Sequence, residues 1–206
     1  MTEPRSLLLL RHGQTAWNLE QRIQGHTDSQ LDELGHDQAR AAAKEIAALR
    51  PARIWSSDLS RAAATAAYLG EACGLTPVPD ARLREYALGA RESLTHDEYA
   101  AAHADEYARF LKGDFDVVPG SEKTPAVTDR MTAALRDLLI ATAPGELSVA
   151  VSHGASLRVA VAAMLGWVPA QALTLGALGN ACWAILAESS ATGELRLAAY
   201  NRMAAT

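Results

Sequence analysis

The sequence of 206 residues predicts a three-layer α/β domain, a mostly parallel central sheet flanked by helices, on three observations. Short apolar runs alternate with amphipathic stretches of helical length. Two of the runs, Leu7–Leu10 and Val149–Val151, are continuously apolar, as in strands covered by helices on both faces. Each run passes directly into a polar turn containing a His-Gly pair, and the carboxyl ends of parallel strands are where open α/β sheets bind ligands.

Ser6–Leu10 reads as the first buried strand. The Ala-rich stretch Leu34–Leu49 is built of good helix formers and stopped by Arg50 and Pro51, which makes it a crossover helix. Arg53–Ser56 then reads as the second strand, Ser60–Glu71 as a helix ending at Cys73-Gly74, and Thr76–Pro79 as a short extended piece limited by its two prolines. From Leu83 to about Lys123 the alternation breaks into a turn, a polar helix near Thr95–Leu111 and a loop ending at Pro119-Gly120. This stretch is expected to be a small cap, about residues 86–123, inserted into one domain spanning 1–206. Thr124 and Pro125 are expected as N-cap and first-turn residues of a helix in which Val127, Met131, Leu135, Leu138 and Leu139 repeat at helical spacing until Pro144. Leu147–Val151 is the next buried strand and Ser156–Leu165 a short apolar helix. Cys182–Leu186 and Leu195–Ala199 form a terminal hairpin around the turn-formers Thr192-Gly193.

Composition narrows the function classes. The chain is 49% hydrophobic with a net charge of −5, and at this length it buries roughly 70% of its unfolded surface, enough for a core without disulfides or structural metal. Its Lys and Arg residues are scattered rather than clustered, which argues against a nucleic-acid partner. No apolar stretch approaches a membrane span. The four leucines before Arg11 fall far short of a signal-peptide core, so a cytoplasmic location is expected. Cys73 and Cys182 lack CxxC spacing and are expected as reduced, core-packing thiols. The sequence does not specify oligomeric state and leaves a homodimer open.

The chemistry lies at the strand ends. The first strand delivers Arg11-His12-Gly13, the later one Ser152-His153-Gly154, and the segment Ser56–Arg61 after the second strand brings a third basic group, Arg61, to the same edge. Two arginines and two histidines around one point suit a tetrahedral dianion, because guanidinium presents paired planar donors matched to phosphate oxygens. A neutral imidazole is nucleophilic, and phosphoryl transfer otherwise needs mainly positioning and charge stabilisation. Glu85 is the best-placed acid for the leaving alkoxide. The expected partner is a small phosphorylated metabolite. No HxH, HExxH or CxxC spacing points to a metal, and no G-x-S-x-G elbow to a serine hydrolase.

The sequence resembles the histidine phosphatases, or phosphoglycerate mutase-like proteins, over nearly its whole length. The resemblance rests on Leu10–Thr15, Trp17-Asn18, Arg22–Gly25, Ser57–Ala62, Leu83–Glu85 and Val151–Gly154 in that order. By matching position it implies a phosphohistidine at His12, phosphate-pocket partners Arg11, Arg61 and His153, a proton donor at Glu85, phosphate contacts from Asn18 and Gln24, and backbone access at Gly25 and Gly154. It implies no cofactor or metal. Within the family the nearest likeness is to broad-specificity and glucosyl-3-phosphoglycerate phosphatases, the latter on Leu94–His96 and Ala177–Trp183. Two other readings stand beside hydrolysis: a cofactor-dependent phosphoglycerate mutase, disfavoured by Glu85-Tyr86-Ala87-Leu88-Gly89 where mutases have Glu-Arg-His-Tyr-Gly, and a silent phospho-ligand binder, disfavoured by the complete residue set.

Two departures from the family pattern stand out. Leu88-Gly89-Ala90-Arg91-Glu92-Ser93 stands where many members carry a tryptophan followed by Glu-Gly, so the leaving-group wall is expected to differ; Lys123 replaces a small hydroxyl and is expected to attract an acidic substrate. His26, His36, His96 and His103 read as surface or packing residues. Trp17 is expected at the pocket mouth, and Trp55, Trp167 and Trp183 in packing.

Overall fold

The computed structural model describes residues 3–205. Its sheet has six strands in the order β3-β2-β4-β1-β5-β6, with β1 Ser6–Arg11, β2 Arg53–Ser56, β3 Val78–Pro79, β4 Leu147–Ser152, β5 Trp183–Glu188 and β6 Leu195–Arg202. The first four run parallel, and the β5–β6 hairpin joins β1 antiparallel.

The four leucines of β1 show why the strand is continuously apolar. Successive side chains point to opposite faces. Leu8 and Leu10 pack with Ala42, Ile46, Ala66 and Leu69 from helices α2 (Glu33–Ala48) and α3 (Ser60–Cys73). Leu7 and Leu9 pack with Met131, Leu135, Leu157 and Val161 from α6 (Thr124–Ala141) and α7 (Gly154–Met164). A four-residue helix, α1 (Ala16–Leu19), follows β1 and is closed by a capping box between Thr15 and Asn18.

Several boundaries differ from expectation. The polar helix expected over Thr95–Leu111 is two helices, α4 (His96–Ala102) and α5 (Ala104–Leu111), separated at His103, whose φ of −140° is not helical. Lys123, not Thr124, is the N-cap of α6. The Thr124 hydroxyl and N–H both donate to Asp116 Oδ1 instead, anchoring the preceding loop. The helix expected from Ser156 starts at Gly154, directly after His153. Cys73 and Cys182 are free thiols, the first half-buried and the second buried. No helix among the described residues is long and apolar enough to cross a membrane.

Candidate active site

β1 and β4 are neighbours in register, Arg11 opposite Ser152. The residue after each strand therefore emerges at the same place, and the His12 N–H donates to the Ser152 carbonyl at 3.1 Å. The His12 and His153 rings lie 5.2 Å apart, centroid to centroid, and both are buried. Gly13 is required by close approach: a Cβ there would sit 2.3 Å from the Gly35 carbonyl oxygen.

Hydrogen bonding fixes the tautomer of each ring. His12 Nδ1 lies 2.7 Å from the Gly13 carbonyl oxygen, which only accepts, so Nδ1 carries the proton and Nε2 keeps its lone pair. His153 Nε2 lies 2.8 Å from Ser57 Oγ. That hydroxyl accepts from the Leu59 N–H and has no acceptor for its own proton other than Nε2 among the described residues, so it donates there and the ring proton of His153 sits on Nδ1. Burial first, and then the guanidinium charges, push the pKa of both rings well below 6.5. Both are neutral at physiological pH.

Arg61 leaves the first turn of α3 and is buried, its two terminal nitrogens donating to the carbonyls of Gly25 and Thr27. The start of α3 has no side-chain cap of its own, and Asp28 serves it by accepting from the Ser60 N–H. Arg11 donates to the Leu178 carbonyl. Neither arginine has a carboxylate within ion-pair distance among the described residues. Arg11 Nε, Arg61 Nε and His153 Nδ1 are buried N–H donors without a protein acceptor, an arrangement that is rare and costly unless a bound anion serves it.

Asn18 and Gln24 complete the donor set by the same device. Asn18 Oδ1 accepts from the Thr15 N–H, the Thr15 hydroxyl and Asn180 Nδ2; Gln24 Oε1 accepts from Ser29 Oγ. With both amide oxygens occupied, the NH2 groups remain as donors. The Glu85 carboxyl accepts from the N–H groups of Tyr86, Ala155 and Ser156, which seats it on the first turn of α7, at the positive end of the helix dipole. Its backbone is held from behind by His26 Nε2 and by Arg130, which also donates to the carbonyls of Arg82 and Arg84 and pairs with Glu122.

All of Arg11, His12, Asn18, Gln24, Gly25, Arg61, Glu85 and Gly154 line one cleft of about 400 Å³; His153, fully buried next to the His12 ring, is not among the cleft residues. Gly25 has φ +53° and a Cβ would meet Glu92 Oε1 at 2.2 Å. Glu92 accepts there from the His26 N–H, the Thr27 hydroxyl and the Leu88 N–H, and so fastens the Gly25 loop to the segment after Glu85. Two expectations fail. Lys123 donates to the Asp116 carbonyl on the surface and is not among the cleft residues. Trp17 lines a neighbouring shallow groove, not the cleft. Sequence reasoning missed Ser57, Asn180, His26 and Arg130, which hydrogen-bond to site residues distant in the chain, and Glu92, which holds the loop next to Gly25. Of these, Ser57 and Asn180 lie inside segments that carry the family resemblance, the one signal that could have found them.

A sequence model of the histidine phosphatase superfamily (branch 1) matches residues 7–201. The chain belongs to the histidine phosphatase superfamily. Among relatives of this histidine phosphatase is a glucosyl-3-phosphoglycerate phosphatase of Mycolicibacterium vanbaalenii, 38% identical over 190 residues that cover 89% of this chain and 84% of the relative. A probable phosphoglycerate mutase of Escherichia coli is 38% identical over 162 residues, covering 77% and 74%. A solved mycobacterial glucosyl-3-phosphoglycerate phosphatase, in complex with VO3, superposes with a TM-score of 0.87 at 36% identity, covering 96% of this chain and 99% of that one.

Proposed function

We propose that this histidine phosphatase hydrolyses small phosphomonoesters, phosphorylated sugars or glycerates, through a phosphohistidine at His12. The observation that carries the reading is a neutral imidazole, its Nε2 lone pair free, beside the half-buried Arg11 and the buried Arg61, each with a buried Nε that has no acceptor and neither with a carboxylate partner among the described residues. Nε2 attacks phosphorus as the ester P–O bond breaks, and the Glu85 carboxyl gives its proton to the departing oxygen. Arg11, Arg61, Asn18 and the Nδ1–H of His153 hold the equatorial oxygens as charge spreads onto them. Gln24 adds a further amide donor, and the backbone at Gly25 and Gly154 leaves the phosphate room to enter. Water then attacks the phosphohistidine with Glu85 taking its proton, which releases phosphate and restores the imidazole.

The relatives named for glucosyl-3-phosphoglycerate support a small, acidic substrate. A steady-state assay of p-nitrophenyl phosphate and alkyl phosphates in excess chelator tests the reading. Hydrolysis is expected to persist in chelator, and Glu85→Gln is expected to slow alkyl phosphates, whose leaving groups need a proton, far more than p-nitrophenyl phosphate. Hydrolysis that requires an added divalent metal, or equal loss on both ester classes, would reject it.

A further inference from the structure

Glu85 stands on a stretch of chain whose carbonyls have no backbone partner. After a single 3-10 turn at Ala81–Leu83, the chain passes Glu85 outside any helix or strand. Among the described residues no backbone N–H reaches the carbonyls of Arg82, Leu83, Arg84 or Glu85, and side chains supply the missing donors. Arg130, on α6, donates to the carbonyls of Arg82 at 2.8 Å, Arg84 at 2.7 Å and Glu85 at 2.8 Å. Ser152 Oγ donates to that of Leu83 at 2.7 Å, and His26 Nε2 adds a second donor to that of Glu85 at 2.8 Å. Arg130 directs its remaining donors to Glu122, Nε to Oε1 at 2.7 Å and Nη2 to Oε2 at 2.8 Å, so that every N–H of the guanidinium has an acceptor. Glu122 in turn holds the Ala87 peptide, its N–H donating to the Ala87 carbonyl at 2.8 Å and its Oε2 accepting from the Ala87 N–H at 3.3 Å. The half-buried pair therefore brackets Glu85, with the carbonyls of Arg82, Arg84 and Glu85 on one arm and Ala87 on the other.

Arg130 differs in kind from the arginines of the phosphate pocket. Arg11 and Arg61 each keep a buried Nε without an acceptor, as an anion site requires. Arg130 has no free donor and is not among the cleft residues, so what it holds is the chain. The group that this chain brings to the cleft is the Glu85 carboxyl, seated on the N–H groups of Ala155 at 3.0 Å and Ser156 at 2.8 Å. The backbone of Glu85 is thus fixed to α6 and its carboxyl to α7, and a displacement of about 1 Å at either end is enough to spoil a proton transfer. We propose that Arg130 and Glu122 are positioning residues for Glu85: they set where its carboxyl stands relative to the departing oxygen, and so govern the proton transfer and not the binding of phosphate. The assignment rests on the phosphatase reading above and names the residues on which its acid step depends.

The test compares ethyl phosphate, whose alkoxide leaves only with a proton, with p-nitrophenyl phosphate, whose phenolate leaves without one. The readout is the ratio of the two kcat/KM values, from which the folded fraction and the phosphate-site geometry cancel. Arg130→Lys keeps the charge but lacks the planar fork that reaches carbonyls and carboxylate together. It is expected to lower the ratio about 10-fold while p-nitrophenyl phosphate stays within about threefold of the parent, and Glu122→Gln to lower the ratio about threefold. In the Glu85→Gln background neither substitution is expected to lower the ratio further, because a residue that acts through Glu85 has nothing left to act on. Arg82→Leu, which breaks the neighbouring ion pairs with Asp80 and Asp137, measures what a loss of stability alone does, and its ratio is expected to match the parent's. A ratio unchanged in Arg130→Lys, an equal fall in Arg82→Leu, or a further fall on top of Glu85→Gln overturns the assignment; if Arg130→Lys does not fold, Glu122→Gln decides by the same criteria. Should the parent turn over neither ester, the phosphatase reading fails on its own. The amide proton shifts of Ala155 and Ser156, which report the seat of the Glu85 carboxyl, then decide the positioning: they are expected to move in Arg130→Lys, and unmoved shifts overturn it.

Discussion

Ser57 is set apart from the substrate by the His153 ring, yet removing its hydroxyl is expected to slow the reaction. The Ser57 proton on His153 Nε2 fixes the ring proton at Nδ1, the tautomer able to donate to a phosphoryl oxygen. In Ser57→Ala the buried Nε2 loses the hydroxyl that held its lone pair, so the two tautomers are no longer distinguished and the one that turns a lone pair toward the incoming anion becomes populated. A hydrogen bond to a charged group contributes about 1.5–3 kcal/mol, so kcat/KM is expected to fall about 10- to 100-fold. The unsatisfied buried nitrogen costs stability of about 1–2 kcal/mol, lowering Tm by about 5 °C in a domain of this size. Steady-state kinetics gives the first figure and a thermal melt the second. Imidazole 15N NMR separates positioning from stability, because it reports which nitrogen of His153 is protonated. A parent ring protonated on Nε2, or a variant within about twofold of the parent in kcat/KM, would refute the reasoning.

Two further outcomes follow from the geometry. His12 and His153 have folded-state pKa values below their unfolded value of 6.5, so the unfolded chain binds more protons in that window; stability is fully present above pH 6.5 and falls as the pH drops below it, by about 1.4 kcal/mol per pH unit for each histidine. Urea unfolding between about pH 7.5 and 5.5 checks the slope, which His153→Gln should reduce by less than half, because His96, its pKa also lowered by burial, contributes alongside His12; a flat profile contradicts the burial of neutral rings. Gly25→Ala places a methyl against Glu92 at φ +53° and is expected to cost roughly 2 kcal/mol or more in unfolding free energy and to displace Arg61 with a loss of activity, measured by urea unfolding and initial rates.

Much of this architecture is legible in the sequence because strand-end chemistry is local. The run Leu7–Leu10 before Arg11-His12 carries both the buried strand and its cargo in adjacent letters, and the same holds for Val149–His153. Arg61 is legible through its helix-opening motif. What the sequence hides is pairing at long range. Nothing near Glu92 announces that it closes on a loop more than sixty residues earlier, or that Arg130 grips the backbone of Glu85. The break at His103 is hidden for another reason: the polar stretch has good helix formers on both sides, and tertiary packing decides where it bends. Lys123 and Trp17 fall outside the cleft because proximity in a motif is not proximity in space.

The most direct measurement is a rapid-quench trap of the enzyme with a radiolabelled phosphomonoester, followed by peptide mapping of acid-labile, base-stable phosphate. Label is expected on His12 within one turnover, discharged to phosphate by water and absent from His12→Ala. Full turnover with no phosphoenzyme, or with label on another residue, would contradict the role given to His12.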